Sequence, residues 1–272
     1  MARLYRFQQD KGGIGVAFSD HPIEKEDHAF LLSGEDDVYA LLQTALAEGK
    51  LPKTLVKERL TAERVSLEQL HIEKRFLLPI EHHDPARCIV TGTGLTHSGS
   101  ADIRNDMNSH DTNLSDSMRL YLKGKEGGKP TAETIGTQPE WFYKGTGHCL
   151  LPHGAPILTP NYSLTAGEEP EVGGVYLIDD KGAPHRAGYV LGNDFSDHQL
   201  EGQNYLFVAV SKLRPCPLAP ALFLGELPGS VEITTHIKRN EQTLWKKTFH
   251  TGEDHMNHSI ANLEHHHFKH ET

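Results

Sequence analysis

The stretch AGEEPEVGGVYLID, residues 166–179, decides the fold: three glutamates stand in four positions directly before an apolar run. Carboxylates held that close repel one another unless solvent, a proton or a cation relieves them. In an extended strand residues two apart share a face, so Glu169 and Glu171 project together while Glu168 points away. Pro170 between them suits a strand start or an edge and biases Glu169 toward extended backbone. The continuation VYLIDDKGAPHRAGYVLGND, residues 175–194, reads as a hairpin turning near Asp180, Lys181 and Gly182. A centre between Lys181 and Gly182 sets Gly192 opposite Glu171 and Asp194 opposite Glu169. A half-residue shift moves that register by one, so the reading is proximity of two glutamates and an aspartate rather than a specific pair. Gly173, Gly174 and Gly192 leave room for a ligand. Three convergent carboxylates are hard oxygen donors that suit Mg²⁺, Ca²⁺ or Mn²⁺ better than zinc. The alternative is a solvated acidic edge that binds nothing.

Working outward, 272 residues fit one large domain or a large domain with a small companion, and the second is expected here. Residues 1–80 read as a small N-terminal unit with one clear helix, starting after Ser33 and stopping at Gly49, whose apolar face is Val38, Leu41, Leu42, Ala45 and Leu46. The charged stretch 53–72 suggests shorter helical turns. A proline-bearing linker then leads to a strand at Cys88–Thr91. From there residues 81–272 are β-rich, with the runs ARCIV, GGVYLI, AGYVLG, YLFVAVS and SVEITTHI between turn residues. SDSMRLYL at 115–122 reads as one or two helical turns capped by Ser115 or Asp116. The fold class is α+β.

No apolar run approaches the roughly 20 residues of a membrane span. The N-terminus lacks the apolar core and cleavage site of a secretory signal, so a cytoplasmic location is expected. Cys88, Cys149 and Cys216 are widely spaced, which suggests buried thiols rather than disulfides or a zinc knuckle. A formal charge of −10 argues against nucleic acid and anionic membranes as partners, so an anionic substrate needs a local cation.

EEPEVGGVYLID, GYVLGNDFSDHQ and SKLRPCPLAP, in that order and at matching separations, resemble the fumarylacetoacetate hydrolase superfamily, with its ExE pair, GNDxS segment and lysine before a CPLGP-like turn. The resemblance covers roughly residues 75–272. Residues 115–147 are further similar to the branch acting on 2-keto-3-deoxy sugar acids, the aldonate dehydratase-like proteins. It implies a mixed β-roll, a divalent ion, usually Mg²⁺, on Glu169, Glu171 and Asp194, and Lys212 as the active-site lysine. It also implies a homodimer. Where the superfamily carries an arginine after its NDxS segment this chain has His198, followed by Gln199, which bears on substrate recognition. The superfamily continues past residue 272 with a TGTG-like loop, so the roll is expected to lack its last segment.

The chemistry so implied starts from a 2-keto acid, whose carboxylate and keto oxygens chelate one ion. The ion acidifies the C3 protons, and loss of a C4 hydroxyl from the resulting enolate is a dehydration. A C–C hydrolase would use the same enolate as a leaving group, and a binding protein for sugar acids that has lost catalysis is the alternative outside enzymes. Lys212 either pairs with a substrate carboxylate or carries a proton. His97, in the loop GTGLTHSGSAD, is the candidate acid or base, against an ordinary loop histidine. Asp102 in that loop is either a fourth metal carboxylate or a surface or capping residue. The aromatics of PEWFYKG suggest a wall near the site, with Lys144 and His198 as candidate substrate contacts. The tail NLEHHHFKHET reads as structure, neither a tag nor a metal site.

Overall fold

A computed structural model describes residues 2–21, 27–97, 99, 115–131 and 134–269. Its strands are β1 (Ala2–Gln8), β2 (Ile14–Ser19), β3 (His28–Leu32), β4 (Leu60–Ser66), β5 (Ile89–Gly92), β6 (Phe142–Thr146), β7 (Leu150–Leu151), β8 (Pro170–Ile178), β9 (Pro184–Asn193), β10 (Cys216–Leu224), β11 (Val231–Arg239) and β12 (Gln242–Thr251). The helices are α1 (Val38–Ala47), α2 (Pro52–Glu58), α3 (Leu67–Ile72), α4 (Asp116–Gly127), α5 (His198–Gln203), α6 (Val208–Ser211) and α7 (Ile260–Phe268). One large sheet runs β4-β3-β2-β1-β10-β9-β8, antiparallel throughout, with the short β7 added parallel to β10. The pairs β5–β6 and β11–β12 stand outside it. The architecture is α+β, as the sequence implied.

The sheet crosses the division expected near residue 80, because β1 lies hydrogen-bonded between β2 and β10. Leu4, Val16, Phe18 and Leu42 from the first part share one apolar cluster with Leu177 and Leu222 from the second. Among the described residues the first part also holds four strands where one helix stood out in sequence. In β1 the alternation is hidden by Arg3 and Arg6, both buried. Arg6 donates to the Asp36 carbonyl (3.1 Å) and pairs with Glu81 (2.6 Å). The edge strand β4 is masked by its solvent-facing Glu63 and Arg64, which read as helix-compatible charge.

α1 buries Val38, Leu41, Leu42 and Ala45 of the expected face and begins at Val38 rather than after Ser33, because the Asp37 side chain accepts the Ala40 N–H; Gly49 follows its end in the left-handed region (φ 64°). α4 is capped by Ser115. YLFVAVS, expected as a strand, is a 3-10 turn at Tyr205–Phe207 running into α6. Its aromatic and β-branched content favours a strand. The Asn204 side chain instead caps Leu206 N–H, and burial of Val208 and Ser211, three apart, selects the helical period.

The histidine-rich tail forms α7, which is anchored by side chains. Asn262 both accepts from Gly136 N–H and donates to the Thr137 carbonyl (each 2.9 Å), and Glu264 receives Tyr176 Oη and Arg186 Nη1. Next to it, buried His258 accepts from Asn262 through Nδ1 (3.1 Å). Burial, with His266 close by, holds its pKa down at about 4, against 6.5 ordinarily. Above pH 6.5 the ring is neutral folded or unfolded and contributes no slope. Between about 6.5 and 4 only the unfolded chain takes the proton, so stability falls with falling pH by up to about 1.4 kcal/mol per unit. Urea titrations at pH 7 and 5 should differ by about 2 kcal/mol from this group, and His258→Gln should remove that share of the difference. An unchanged difference in the variant would show that His258 is not its source.

Candidate metal centre

Glu169 and Glu171 flank Pro170 at the start of β8, and Asp194 follows the last residue of β9. Glu171 lies opposite Gly192, and Asp194 N–H donates to the Glu169 carbonyl (2.8 Å), so the expected facing is present. It arises differently. The turn is centred on Lys181, with Asp179 N–H donating to the Ala183 carbonyl, half a residue earlier than the sequence suggested. A bulge opposite Val175–Tyr176 then adds one residue to β9 and restores the register at the site. Asn193 Oδ1 accepts Glu169 N–H (2.9 Å) and fixes the strand entry.

One oxygen from each of Glu169, Glu171 and Asp194 lies within 4.8 Å of the others. Oxygens sharing an ion at 2.0–2.6 Å are at most about 4–5 Å apart, so the set fits a hard divalent cation. Asp194 is 5% exposed and neither of its side-chain oxygens receives an aligned hydrogen bond. Two ammonium groups lie in ion-pair range, Lys144 Nζ at 2.5 Å from Oδ1 and Lys212 Nζ at 3.2 Å from Oδ2. They neutralise the Asp194 charge at close range, so an ion bound there would share the carboxylate with both lysines. Buried carboxylate oxygens without hydrogen bonds are costly unless something coordinates them.

Lys212, 1% exposed at the end of α6, donates to Glu169 Oε1 (2.6 Å) and lies 3.6 Å from Glu201. Its ammonium sits 5.2 Å from the centre of the Phe142 ring. Burial disfavours the charge, but Glu169, Asp194 and Glu201 outweigh it and push the pKa above the ordinary lysine value. Burial would likewise raise Glu169, yet the His198 hydrogen bond (2.8 Å) and Lys212 hold it at about 2. Glu171 has no such partner among the described residues. Desolvation, then the charges of Asp194 and Glu169, push it up to about 8. Its side chain is open to solvent, so the like-charge repulsion is the part that geometry carries. Two lysines and a raised carboxyl thus relieve the crowding of like charge at the start of β8.

Lys144, expected to touch substrate, is 3% exposed, and its Nζ donates to the Phe195 and Lys212 carbonyls (each 2.9 Å) while pairing with Asp194. It ties the turn after β9 to the end of α6. His198 spends Nε2 on Glu169; its ring lies where a Cβ on Gly167 would come within 2.3 Å, so the glycine makes its position available. His97 does not join the cluster. Thr96 and Thr251 hydroxyls engage its two ring nitrogens (each 2.9 Å), and burial and His255 lower its pKa. Asp102 lies outside the described residues. The glycines of GTGL serve packing, since a Cβ on Gly94 would fall 1.7 Å from the buried Glu140 carboxylate. Of the aromatic run, only Phe142 faces the site; Trp141 donates to His267 instead.

Sequence reading missed Glu201 and Asp197. Asp197, fully buried, accepts from Leu164, Thr165 and Leu200 N–H and pairs with Arg214 (3.2 Å). An aspartate directly before a helical run signalled its capping role. Glu201, one turn on, points at Lys212 only through the packing of α5 on α6.

No family model matches the chain, and no curated protein does. Solved structures do. A hexagonal crystal form of 2-keto-3-deoxyarabinonate dehydratase is similar over 99% of this chain and 84% of its own, with TM-score 0.67 and 19% identity. 2-Keto-3-deoxy-D-arabinonate dehydratase complexed with magnesium and 2,5-dioxopentanoate is similar over 98% and 82%, with TM-score 0.64 and 20% identity. 5-Carboxymethyl-2-hydroxymuconate delta-isomerase from Mycobacterium smegmatis is similar over 96% and 80%, with TM-score 0.51 and 16% identity. At these identities the likeness shows the fold, and it is the fumarylacetoacetate hydrolase-like fold implied by the sequence resemblance.

Proposed function

We propose that this chain, which has the fumarylacetoacetate hydrolase-like fold, is a cytoplasmic, divalent-metal-dependent lyase that removes water from a 2-keto-3-deoxy sugar acid. The observation that carries the reading is that one oxygen from each of Glu169, Glu171 and the buried Asp194 lies within 4.8 Å of the others. These three residues would hold Mg²⁺, with Mn²⁺ or Ca²⁺ as substitutes. Bound there, the ion would polarise a chelated 2-keto acid and acidify its C3 protons.

The protein's own groups divide the remaining work. Lys212, kept protonated by its three carboxylates, acts as ammonium, a fixed countercharge for an anionic substrate, and not as a base. His198 orients Glu169, and Lys144 fixes Asp194 relative to Lys212. Similarity to a dehydratase solved with magnesium and a dioxo acid favours dehydration over C–C cleavage.

Purified protein with Mg²⁺ should convert 2-keto-3-deoxy-pentonates to a dioxo acid and leave acylpyruvates intact, followed by chromatography of both acids. Cleavage of an acylpyruvate into two acids would replace the lyase with a C–C hydrolase. Tight binding of the keto-deoxy acid without turnover would leave a binding protein.

A further inference from the structure

We propose that His71 and His153 form a second metal site, one that takes a borderline divalent ion of the Zn²⁺, Ni²⁺ or Cu²⁺ class. The inference goes beyond the proposed reaction and rests on no property of the carboxylate site.

The two imidazoles stand 82 residues apart in the chain, yet His71 Nδ1 and His153 Nε2 lie 2.9 Å from each other. Each is delivered by a local device. His71 sits on α3, which the Ser66 side chain caps and the buried Leu70 anchors. His153 sits in a tight turn closed by Ala155 N–H donating to the Pro152 carbonyl (3.1 Å), with Gly154 in the left-handed region (φ 81°). That turn follows β7, whose pairing with β10 at Cys216 and Pro217 fixes where it starts. The buried Phe76 ring lies across His153 in a T-shaped contact, 6.0 Å between ring centres.

The pair offers what a transition ion needs. Metal binds neutral imidazole, and burial followed by the nearby His71 lowers the His153 pKa. One proton serves both facing nitrogens, and a change of tautomer in the donor ring moves it to the far side, leaving a lone pair on each. Two nitrogens bound at 2.0–2.1 Å with a right angle at the ion are about 2.9 Å apart, which is the spacing here. His71 is exposed, so its ring has room to turn toward an ion that solvent also reaches. Glu68, also exposed, stands three residues before His71 on the same helix face and supplies a third donor. Imidazole suits Zn²⁺, Ni²⁺ and Cu²⁺ where carboxylates suit Mg²⁺, so the two centres sort ions by donor type.

Wild-type protein in excess Mg²⁺ should bind one equivalent of Zn²⁺ by calorimetry, and Cu²⁺ should give an electron paramagnetic resonance spectrum with two coupled nitrogens. His71→Gln and His153→Gln should each weaken that equivalent more than about 100-fold, as loss of a direct ligand does. Zn²⁺ should raise the melting temperature of the wild type and leave that of both variants unmoved. The equivalent should persist in the Glu169→Gln, Glu171→Gln double variant, which lacks the carboxylate centre, and in His265→Gln, from the exposed side of the histidine-rich tail. Absence of the equivalent from the wild type, wild-type affinity in His71→Gln or His153→Gln, or its loss in the double variant or in His265→Gln would overturn the proposal.

Discussion

Changing Glu169 and Glu171 together to glutamine is expected to abolish Mg²⁺ binding, seen by calorimetry or by electron paramagnetic resonance with Mn²⁺. The fold should survive, because glutamine keeps the shape and its amide oxygen can still accept from Lys212 and His198, the partners Glu169 has now. What disappears is anionic oxygen, on which a hard cation depends. Residues that merely support a ligand cost about 10–100-fold when changed, so direct ligands should cost more than about 100-fold. Asp194→Asn should do the same alone, since its buried carboxylate lies between the two lysines and the two glutamates at the centre of the cluster. Wild-type affinity in the double variant would remove the metal centre.

The second large effect concerns Lys212→Met. Three carboxylates lie within 2.6, 3.2 and 3.6 Å of the ammonium, and it is 1% exposed. Removing it leaves buried negative charge without its countercharge, for which about 3–5 kcal/mol of lost stability is expected in chelator-treated protein. Divalent ions should restore part of that loss by supplying the missing charge, which a purely steric defect would not allow. With the ion present, turnover of the keto-deoxy acid should fall about 10²–10³-fold through loss of the fixed cation beside the developing charge. Urea midpoints with and without Mg²⁺ separate the two effects. Equal stability of variant and wild type without ions would mean that the lysine is not the countercharge.

Several elements were legible in sequence because their causes are local. The helix at 38–47 follows from apolar spacing, with its cap at Asp37 rather than Ser33, and the hairpin at 170–193 from a DKG turn between apolar runs. The strands of residues 2–66 were less legible. Buried Arg3 and Arg6 and exposed Glu63 and Arg64 break the alternation, and the buried Arg6 is met by Asp36 and Glu81, groups distant in the chain. YLFVAVS went the other way: its composition favours a strand, and burial at helical spacing overrode it.

The sequence by itself determined that Glu169, Glu171 and Asp194 would lie near one another. Side chains two apart on a strand share a face, and a short hairpin returns its partner to the same end. Only the tertiary structure decided how their charge is met. Lys144 from β6, Lys212 from the end of α6 and Glu201 from α5 reach the triad through packing between segments distant in sequence. Distances of that kind depend on how elements stack, and no local pattern of residues encodes them.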